Sequence, residues 1–291
     1  MLASATAAVA AAAVVVPLTL DGGTAAASAA FRYVAMGDSY TSAPGVTPVD
    51  ASAPPQCGRS AVNYPHLVAK QLGAMLTDVS CGGAKTMSLY QNQYSDVGPQ
   101  LDALKVDPAL VSVSIGGNDN DLFATVMGGC ASTAASALAG ETTPCKDKYA
   151  KEFSDDIAAS GLLIRQALKN IHKEAPHAQV VVVGYPDIFP TTDAGRLTCL
   201  AAGVPFTPGD IAFLDSVERE LNTMLATAAG ATRSTYLDTY TPSIGHDMCQ
   251  LPGMRWIEPL IPLAPAAPVH PNAAGQAAVA KEFVAAVRPT R

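Results

Sequence analysis

Short apolar runs alternate with longer amphipathic stretches along most of the chain. Runs rich in β-branched and aromatic residues, typical of strands, occupy 31–36, 75–79, 110–115, 179–183 and 234–237. Apolar residues recur at helical spacing between them, over 63–72, 99–104, 153–175, 208–229 and 273–287. Strands that alternate with helices form a parallel sheet covered by helices on both faces. The pattern therefore predicts an α/β fold whose ligand site lies beyond the carboxyl ends of the strands.

Residues 1–30 differ in composition from the rest of the chain. They consist largely of Ala and Val, and an Ala-Ser-Ala sequence at 27–29 resembles the cleavage site of a secretory signal peptide, although no Lys or Arg precedes it. Pro17 and Asp21 interrupt the apolar run before it reaches the roughly 20 residues of a membrane-spanning helix, so we expect no stable membrane anchor. We expect residues 1–30 to direct export and residues 31–291 to form a single domain. A plain Ala-rich leader is the alternative.

The composition limits the possible partners. Of the 291 residues, 49% are hydrophobic and 15% are charged, which provides enough apolar material for a sizeable core. The formal net charge is −7, and no cluster of Lys and Arg is interleaved with aromatic residues. A nucleic-acid partner is therefore not expected.

The cysteines indicate disulfides. Their even number, with no C-x-x-C and no Cys/His ligand spacing, favours three disulfides over a metal site, and we expect no bound metal. Six cysteines allow about 15 pairings. The simplest is the sequential one, which joins Cys57–Cys81, Cys130–Cys145 and Cys199–Cys249. Disulfides would indicate an extracellular location, whereas six buried free thiols are the alternative.

A candidate nucleophile follows the first predicted strand. Ser39 stands in Gly37-Asp38-Ser39, where the strand runs into the start of a helix. Free backbone N–H groups and the helix dipole favour negative charge at such a point, which suits a serine whose adduct carries an oxyanion. Serine is also common at helix N-caps, so the tripeptide alone leaves a structural role open.

Two further strand ends offer hydrogen-bond donors. Gly82 and Gly83 follow the second strand, where paired glycines let the backbone approach a ligand and present an N–H group. Asn118 follows the third strand and could direct its side-chain amide at the same oxyanion. A plain turn at the glycines and an Asx-turn at Asn118 are the structural alternatives.

A general base is expected to be a histidine held on a loop. His270 lies directly before the last predicted helix, where Pro271 and Asn272 are suited to start that helix. His246 also lies on a loop after a strand and is the main rival. The other histidines lie within helices or at their ends, and they are His66, His172 and His177.

Together these elements resemble the four sequence blocks of the SGNH/GDSL hydrolases. The blocks are G-D-S at 37–39, G-G-A-x-T at 82–86, G-G-N-D at 116–119 and H-P-N at 270–272. The six cysteines, Gly-His-Asp at 245–247 and Trp256 make the chain similar to the extracellular esterases and lipases of actinobacteria. The resemblance implies a three-layer α/β/α, flavodoxin-like fold with a five-stranded parallel sheet.

The resemblance also implies a role for each candidate residue. Ser39 would be the nucleophile and supply one oxyanion N–H, with His270 as the base. Gly83 would supply a second N–H and Asn118 a third donor. Gly82 is the adjacent alternative, but the family's donor glycine stands directly before the Ala-x-Thr stretch, which favours Gly83.

One position departs from the family pattern. Many members carry an Asp three residues before the catalytic histidine, and here that residue is Ala267. Some members instead orient the imidazole with a backbone carbonyl, which accepts the Nδ1–H bond without supplying a charge. We therefore expect a Ser–His dyad oriented by the backbone carbonyl of Ala267, and a structural role for Asp38 in the turn before Ser39.

The expected activity is hydrolysis of small-molecule or lipid carboxylic esters by a secreted, monomeric enzyme that needs no metal or organic cofactor. The same residues would serve a carbohydrate O-acetyl esterase with a sugar-facing groove, or an acyltransferase in which an alcohol outcompetes water. A non-enzymatic binding module is the remaining alternative. The sequence does not specify acyl length, because pocket depth depends on the loops over 42–60, 120–150 and 241–268.

Overall fold

A five-stranded sheet forms the centre of the molecule. The computed structural model describes residues 31–287, so the expected leader over residues 1–30 lies outside the described residues. All strands run parallel, in the order β2-β1-β3-β4-β5. They are β1 Arg32–Gly37, β2 Met75–Asp78, β3 Leu110–Ser114, β4 Gln179–Val183 and β5 Thr235–Leu237. Each coincides with a run predicted from the sequence.

Helices cover both faces of the sheet. They are α1 Ser39–Ser42, α2 Tyr64–Leu72, α3 Leu122–Ala124, α4 Ala134–Leu138, α5 Pro144–Glu174, α6 Asp193–Ala201, α7 Pro208–Ala231 and α8 Ala273–Ala286. α2 and α8 pack together on one face, and α5 and α7 pack together on the other. This confirms the three-layer α/β/α arrangement. Over residues 31–287, no helix has both the length and the apolar character needed to cross a membrane.

The central strands are apolar on both faces because both faces are covered. In β1, Tyr33 and Ala35 belong to the core under α2 and α8, whereas Val34 and Met36 belong to the core under α5 and α7. The valines of β4 at 180–183 alternate in the same way. Each fully buried large side chain contributes about 1.5–3 kcal/mol to folding. Because successive side chains of each strand enter opposite cores, the sheet is packed to the helices on both of its faces.

Three helical segments differ from the sequence expectation, and the first is the helix predicted over 99–104, which is a 3₁₀-helix over Gln100–Val106. α5 begins at Pro144, well before the predicted start at Phe153, and proline is favoured in a first helical turn because its missing N–H needs no partner there. Cys145 in this turn is buried and bonded to Cys130, which holds the additional turns against the core. α6 was not predicted, because its apolar pattern is short and contains a glycine.

Disulfides close loops around the sheet. They join Cys57 to Cys81, Cys130 to Cys145 and Cys199 to Cys249, which is the sequential arrangement. Each such bond contributes about 2–4 kcal/mol, in large part by restricting the unfolded chain. Disulfides persist in oxidising compartments, so their presence fits a protein that acts outside the cytosol.

The sheet brings the candidate loops to one edge. From β1 the chain passes first to β2 on one side and later to β3 on the other, so a topological switch point lies between β1 and β3. Ligands of open α/β sheets bind in the crevice at such a point. Ser39 follows β1 and Asn118 follows β3, and both therefore lie beside this crevice.

Candidate active site

Ser39 is held in the first turn after β1. The Asp38 N–H donates to Ser114 O of β3 (3.0 Å), and the Asp38 carboxylate accepts from the Tyr40 N–H (2.9 Å), capping α1. The turn requires a glycine at 37, because a Cβ on Gly37 would lie 2.6 Å from Ser114 O. As a result Ser39, which is 8% exposed, begins α1 at a fixed place beside the sheet edge.

His270 lies next to Ser39 although 231 positions separate them in the sequence. Its Nε2 is 2.7 Å from Ser39 Oγ, and its Nδ1 is 2.7 Å from the carbonyl oxygen of Pro268. A carbonyl only accepts hydrogen bonds, so Nδ1 carries the hydrogen and Nε2 is free to accept the Ser39 proton. Burial lowers the pKa of His270, and the bond to Pro268 opposes that shift. The imidazole is therefore neutral at neutral pH, as a general base must be.

The carbonyl that orients His270 belongs to Pro268, and the prediction of Ala267 was wrong. Ala267 O instead accepts from the His270 backbone N–H (3.2 Å), which closes a tight turn. Val269, inside this turn, has φ +58°, a left-handed conformation that is strained for a β-branched residue. The turn brings the ring back against the carbonyl two residues earlier. Among residues 31–287, no side-chain carboxylate hydrogen-bonds to the His270 ring.

Contacts with α1 and with Glu258 hold this turn, and α1 is in turn bonded to α8. Val269 O accepts from the Tyr40 hydroxyl (2.8 Å), and the Val269 N–H donates to Glu258 O (3.0 Å). Gln276 of α8 donates to Tyr40 O (3.0 Å) and accepts from the Tyr64 N–H (2.7 Å). α1, α2 and α8 are thereby joined directly beneath the histidine loop.

The glycine pair after β2 offers one available N–H. The Gly82 N–H donates to Cys57 O (2.9 Å), whereas the Gly83 N–H donates to no acceptor among the described residues. The Ser39 N–H is likewise without an acceptor in this part of the chain. Of the two glycines, Gly83 is therefore the one whose N–H a ligand can use.

Asn118 and the glycine loop are tied together. Asn118 donates one amide hydrogen to Ala84 O (3.1 Å), which leaves the second hydrogen of the amide. The neighbouring Asp119 accepts from the N–H (2.7 Å) and the hydroxyl (2.6 Å) of Thr86. Asp119 is buried and Asn118 is partly buried, so these bonds fix the spacing between the loops that follow β2 and β3.

A tyrosine that the sequence analysis did not single out connects three strand ends. Tyr185 follows β4, donates to Asp38 Oδ2 (2.6 Å) and accepts from the Gly117 N–H (2.9 Å). Burial raises the pKa of Asp38 to about 7, although the bonds from Tyr185 and Tyr40 oppose the shift. Both Asp38 oxygens are thus engaged within the turn. The position of Tyr185 just past a strand end was the only signal available in the sequence.

The rival histidine is not part of this arrangement. His246 stacks on Trp256, with ring centroids 3.9 Å apart, and its Nδ1 hydrogen-bonds to Met254 O. It makes no hydrogen bond to Ser39. The structure therefore pairs Ser39 with His270 and leaves His246 within the loop that follows β5.

Buried amides also support the site, and nothing in the sequence marked them. Gln100 accepts from the Gly37 N–H (2.8 Å) and donates to Gly37 O (3.0 Å), which holds the end of β1 just before Ser39. Gln276, described above, acts similarly on α1. Both lie in helical segments, where a polar residue is ordinarily assumed to face solvent.

An apolar cavity of about 50 Å³ opens beside Ser39 and Asn118. Its walls come from α3, the π-helical turn Thr125–Gly129, the segment after β4, and α7. The apolar lining includes Leu122, Val126, Ile188, Phe189, Val217 and Leu221. Concave sites with mostly apolar walls and a few polar groups at one end are typical of sites for small ligands.

Two carboxyl groups line the cavity, Asp38 next to Ser39 and Glu218 on α7. Burial, reinforced by the nearby Asp187, raises the pKa of Glu218 well above its ordinary value. Burial likewise raises the pKa of Asp187 to about 8. Glu218 Oε2 accepts from the Ile188 N–H (3.0 Å), which fixes the carboxyl group. Burial therefore favours the uncharged form of Glu218, and the part of the wall away from Asp38 suits an apolar ligand.

Comparison with known proteins identifies the class to which this fold and site belong. Residues 35–278 match the GDSL-like Lipase/Acylhydrolase family, and the chain belongs to that family. It is accordingly a carboxylic ester hydrolase.

The relatives include named enzymes of Streptomyces. The chain is 43% identical over 258 residues to Lipase 2 of Streptomyces coelicolor, a match that covers 88% of this chain and 86% of that protein. Its structure resembles that of phospholipase A1 from Streptomyces albidoflavus, with a TM-score of 0.66, 26% identity, and 88% of this chain and 98% of that chain covered. The extracellular lipase from Streptomyces rimosus matches with a TM-score of 0.65, 27% identity, and coverage of 89% and 100%.

Proposed function

We propose that the protein is a secreted lipase in which a Ser39–His270 dyad hydrolyses esters of extended acyl chains. The observation that carries this proposal is the 2.7 Å approach of His270 Nε2 to Ser39 Oγ beside an apolar cavity. A nucleophile, a base and a binding site for an acyl group are the parts that acyl transfer requires.

The reaction proceeds through an acyl-enzyme. Ser39 Oγ attacks the ester carbonyl carbon while His270 Nε2 takes the hydroxyl proton. The N–H groups of Ser39 and Gly83 and the amide of Asn118 stabilise the resulting oxyanion. His270 then gives the proton to the departing alcohol, and the acyl group remains on Ser39. Water attacks the acyl-enzyme with His270 again as base, which releases the acid and restores the serine hydroxyl.

The Pro268 carbonyl takes the orienting role that an aspartate has in a triad. By accepting the Nδ1–H bond it fixes the tautomer that leaves Nε2 free for the Ser39 proton. Its dipole also stabilises the imidazolium that forms in the reaction, more weakly than a carboxylate would. The engagement of both Asp38 oxygens by other donors supports a dyad.

The cavity supports an extended acyl chain over an acetyl group. Beyond the polar end at Ser39 and Asn118 its lining is mostly aliphatic and aromatic, and burial favours the uncharged form of Glu218. An O-acetyl esterase for sugars requires little apolar space and a polar groove for the carbohydrate. An acyltransferase would form the same acyl-enzyme and differ only in the acceptor, so the acceptor must be varied in the test.

Disulfides and the Ala-rich residues 1–30 together support export. We take residues 31–291 as one domain that acts as a monomer.

The proposal is tested with a fluorophosphonate probe and a panel of p-nitrophenyl esters from acetate to palmitate, with and without an acceptor alcohol. The probe should label Ser39, and Ser39→Ala and His270→Ala should each lose at least about 10³-fold in kcat. We expect kcat/KM to rise from acetate to longer chains. Substantial turnover by Ser39→Ala would refute the dyad, and a preference for acetate would refute the acyl assignment. A transfer product that exceeds the free acid would show an acyltransferase.

A further inference from the structure

The segment over 241–268, between β5 and the histidine loop, exposes no charged group. Its charged residues are Asp247, Arg255 and Glu258, and they are 1%, 6% and 1% exposed. Asp247 accepts from the Cys249 N–H (2.9 Å), and Arg255 pairs with Glu258 (3.4 Å between Nε and Oε1). The charges of this segment therefore stabilise its interior, and its outer surface is uncharged.

The same segment exposes large aliphatic side chains. Leu251, Met254, Ile261 and Leu263 are 70%, 50%, 79% and 70% exposed, and we refer to these four side chains as the apolar rim. Leu263 lines one groove together with the turn at 252–253 that connects Leu251 to Met254. Leu263 and the turn between Leu251 and Met254 therefore border a single groove, although they are separated in the sequence.

The rim is joined to the base of the active site. Ile257 and Pro271 form an antiparallel bridge, and next to it the Glu258 N–H donates to His270 O (3.0 Å). The chain between these points is a closed loop with His270 at its base and Ile261 near its tip. Leu260 packs inward on the core, so Ile261 faces outward.

We propose that the apolar rim inserts into the surface of aggregated lipid and so places the mouth of the active site at that surface. This inference rests on the proposed lipase function and adds the partner surface to it. Insertion of apolar side chains by about 5–10 Å into the boundary between headgroups and acyl chains is the usual depth for interfacial binding. The protein carries a net charge of −7, so a neutral lipid surface is the favoured partner.

The chemistry of the rim distinguishes a lipid from a protein partner. The centres of protein interfaces are enriched in Tyr, Trp and Arg, which supply most of the binding energy. The rim has aliphatic side chains only, and the neighbouring Arg255 and Trp256 are turned into the loop by Glu258 and His246. Aliphatic tips without hydrogen-bonding anchors match an acyl layer, which offers no partners for hydrogen bonds.

The test measures vesicle binding separately from catalysis. Binding to phosphatidylcholine vesicles is measured by flotation for two proteins. The first is the Ser39→Ala variant, and the second is the same variant with the additional substitutions Ile261→Gln and Leu263→Gln, the rim variant. The matched control carries Leu162→Gln and Leu163→Gln, which replace two exposed leucines (67% and 43% exposed) on the side of α5. We expect about tenfold weaker partitioning for each rim side chain replaced, about 100-fold for the pair, and no change for the control.

A kinetic comparison completes the test with active enzyme. The rim variant should keep the wild-type kcat/KM on monomeric p-nitrophenyl butyrate and lose at least tenfold in rate on emulsified triacylglycerol. Binding that is unchanged in the rim variant, or that depends on added anionic lipid, would overturn the inference. A wild-type dimer that the rim variant converts to a monomer, without loss of vesicle binding, would show a self-association surface instead. Failure of the proposed function differs from all of these, because it would appear with the rim intact, as absent ester hydrolysis, a preference for acetate, or substantial turnover by Ser39→Ala.

Discussion

The hydroxyl of Tyr185 makes two buried hydrogen bonds at once, to Asp38 Oδ2 (2.6 Å) and from the Gly117 N–H (2.9 Å). Tyr185→Phe keeps the ring and removes both. The lost bond at Asp38 depends on pH, because burial raises the pKa of that carboxyl from 3.8 to about 7. The lost bond at Gly117 does not depend on pH, because its donor is a backbone N–H. The variant therefore separates a titratable contribution to stability from a constant one.

The sign follows from linkage. Because the pKa of Asp38 is higher in the folded than in the unfolded protein, folding favours its protonated form, and this contribution is complete below pH 3.8 and lost as the pH rises through about 7. At pH 5 Tyr185→Phe loses a bond to a neutral carboxyl, about 0.5–1.5 kcal/mol. At pH 8 it loses a bond to a carboxylate, about 1.5–3 kcal/mol. The orphaned Gly117 N–H adds about 1–3 kcal/mol at either pH.

The assay is thermal unfolding at pH 5 and pH 8. One kcal/mol corresponds to roughly 2–4 °C in Tm for a domain of this size, so Tyr185→Phe should lower Tm by about 2–4 °C more at pH 8 than at pH 5. Tyr236→Phe is the control, because the Tyr236 hydroxyl donates to the neutral amide oxygen of Asn222 (3.2 Å). Its effect should be equal at the two pH values. If Tyr185→Phe lowered Tm equally at the two pH values, or more at pH 5, Asp38 could not be a buried carboxyl with a raised pKa.

Further predictions concern the site itself. Because burial lowers the pKa of His270, kcat/KM should fall only as the pH drops below 6.5, and a half-maximal point above pH 7 in the pH–rate profile would contradict this. Thr86→Val should lower the unfolding free energy by about 1.5–3 kcal/mol and kcat by roughly tenfold, because it removes a buried bond to Asp119. Thr86→Ser should retain both the stability and the kcat of the wild type. An equal loss in the two variants would show that the Thr86 hydroxyl is not responsible. His246→Ala should leave kcat within about threefold of wild type and lower Tm through the lost stacking on Trp256. If His246→Ala lost as much kcat as His270→Ala, the assignment of His270 as the general base would be contradicted.

The periodic pattern was sufficient to predict the sheet because a strand covered on both faces is apolar along nearly its whole length, as residues 180–183 of β4 show. It also placed Ser39 and Asn118 at strand ends, since parallel strands share one carboxyl edge. The orienting carbonyl was misassigned because it depends on the left-handed Val269, and nothing in the identity of a valine indicates that conformation.

The supporting residues could not have been found in the same way. Tyr185 and Gln100 act on residues 147 and 63 positions away, at Asp38 and Gly37. Such contacts follow from the tertiary path of the chain and leave no local periodicity. Four short motifs were sufficient to indicate the chemistry, whereas the scaffold that positions it became visible only in three dimensions.

The separation of Ser39 and His270 has a consequence for how activity is acquired. The histidine reaches the serine only when α8 docks through Gln276 onto the Tyr64 N–H and Tyr40 O, contacts that span more than 200 positions. Contacts of such separation carry the largest loop-closure cost and slow the folding of chains that depend on them. Recovery of esterase activity during refolding therefore reports the closing of the chain's two ends, later than any signal from secondary structure. Under the proposed mechanism, a chain with its sheet formed but α8 not yet docked has a serine without a base, and we expect it to be inactive as an esterase.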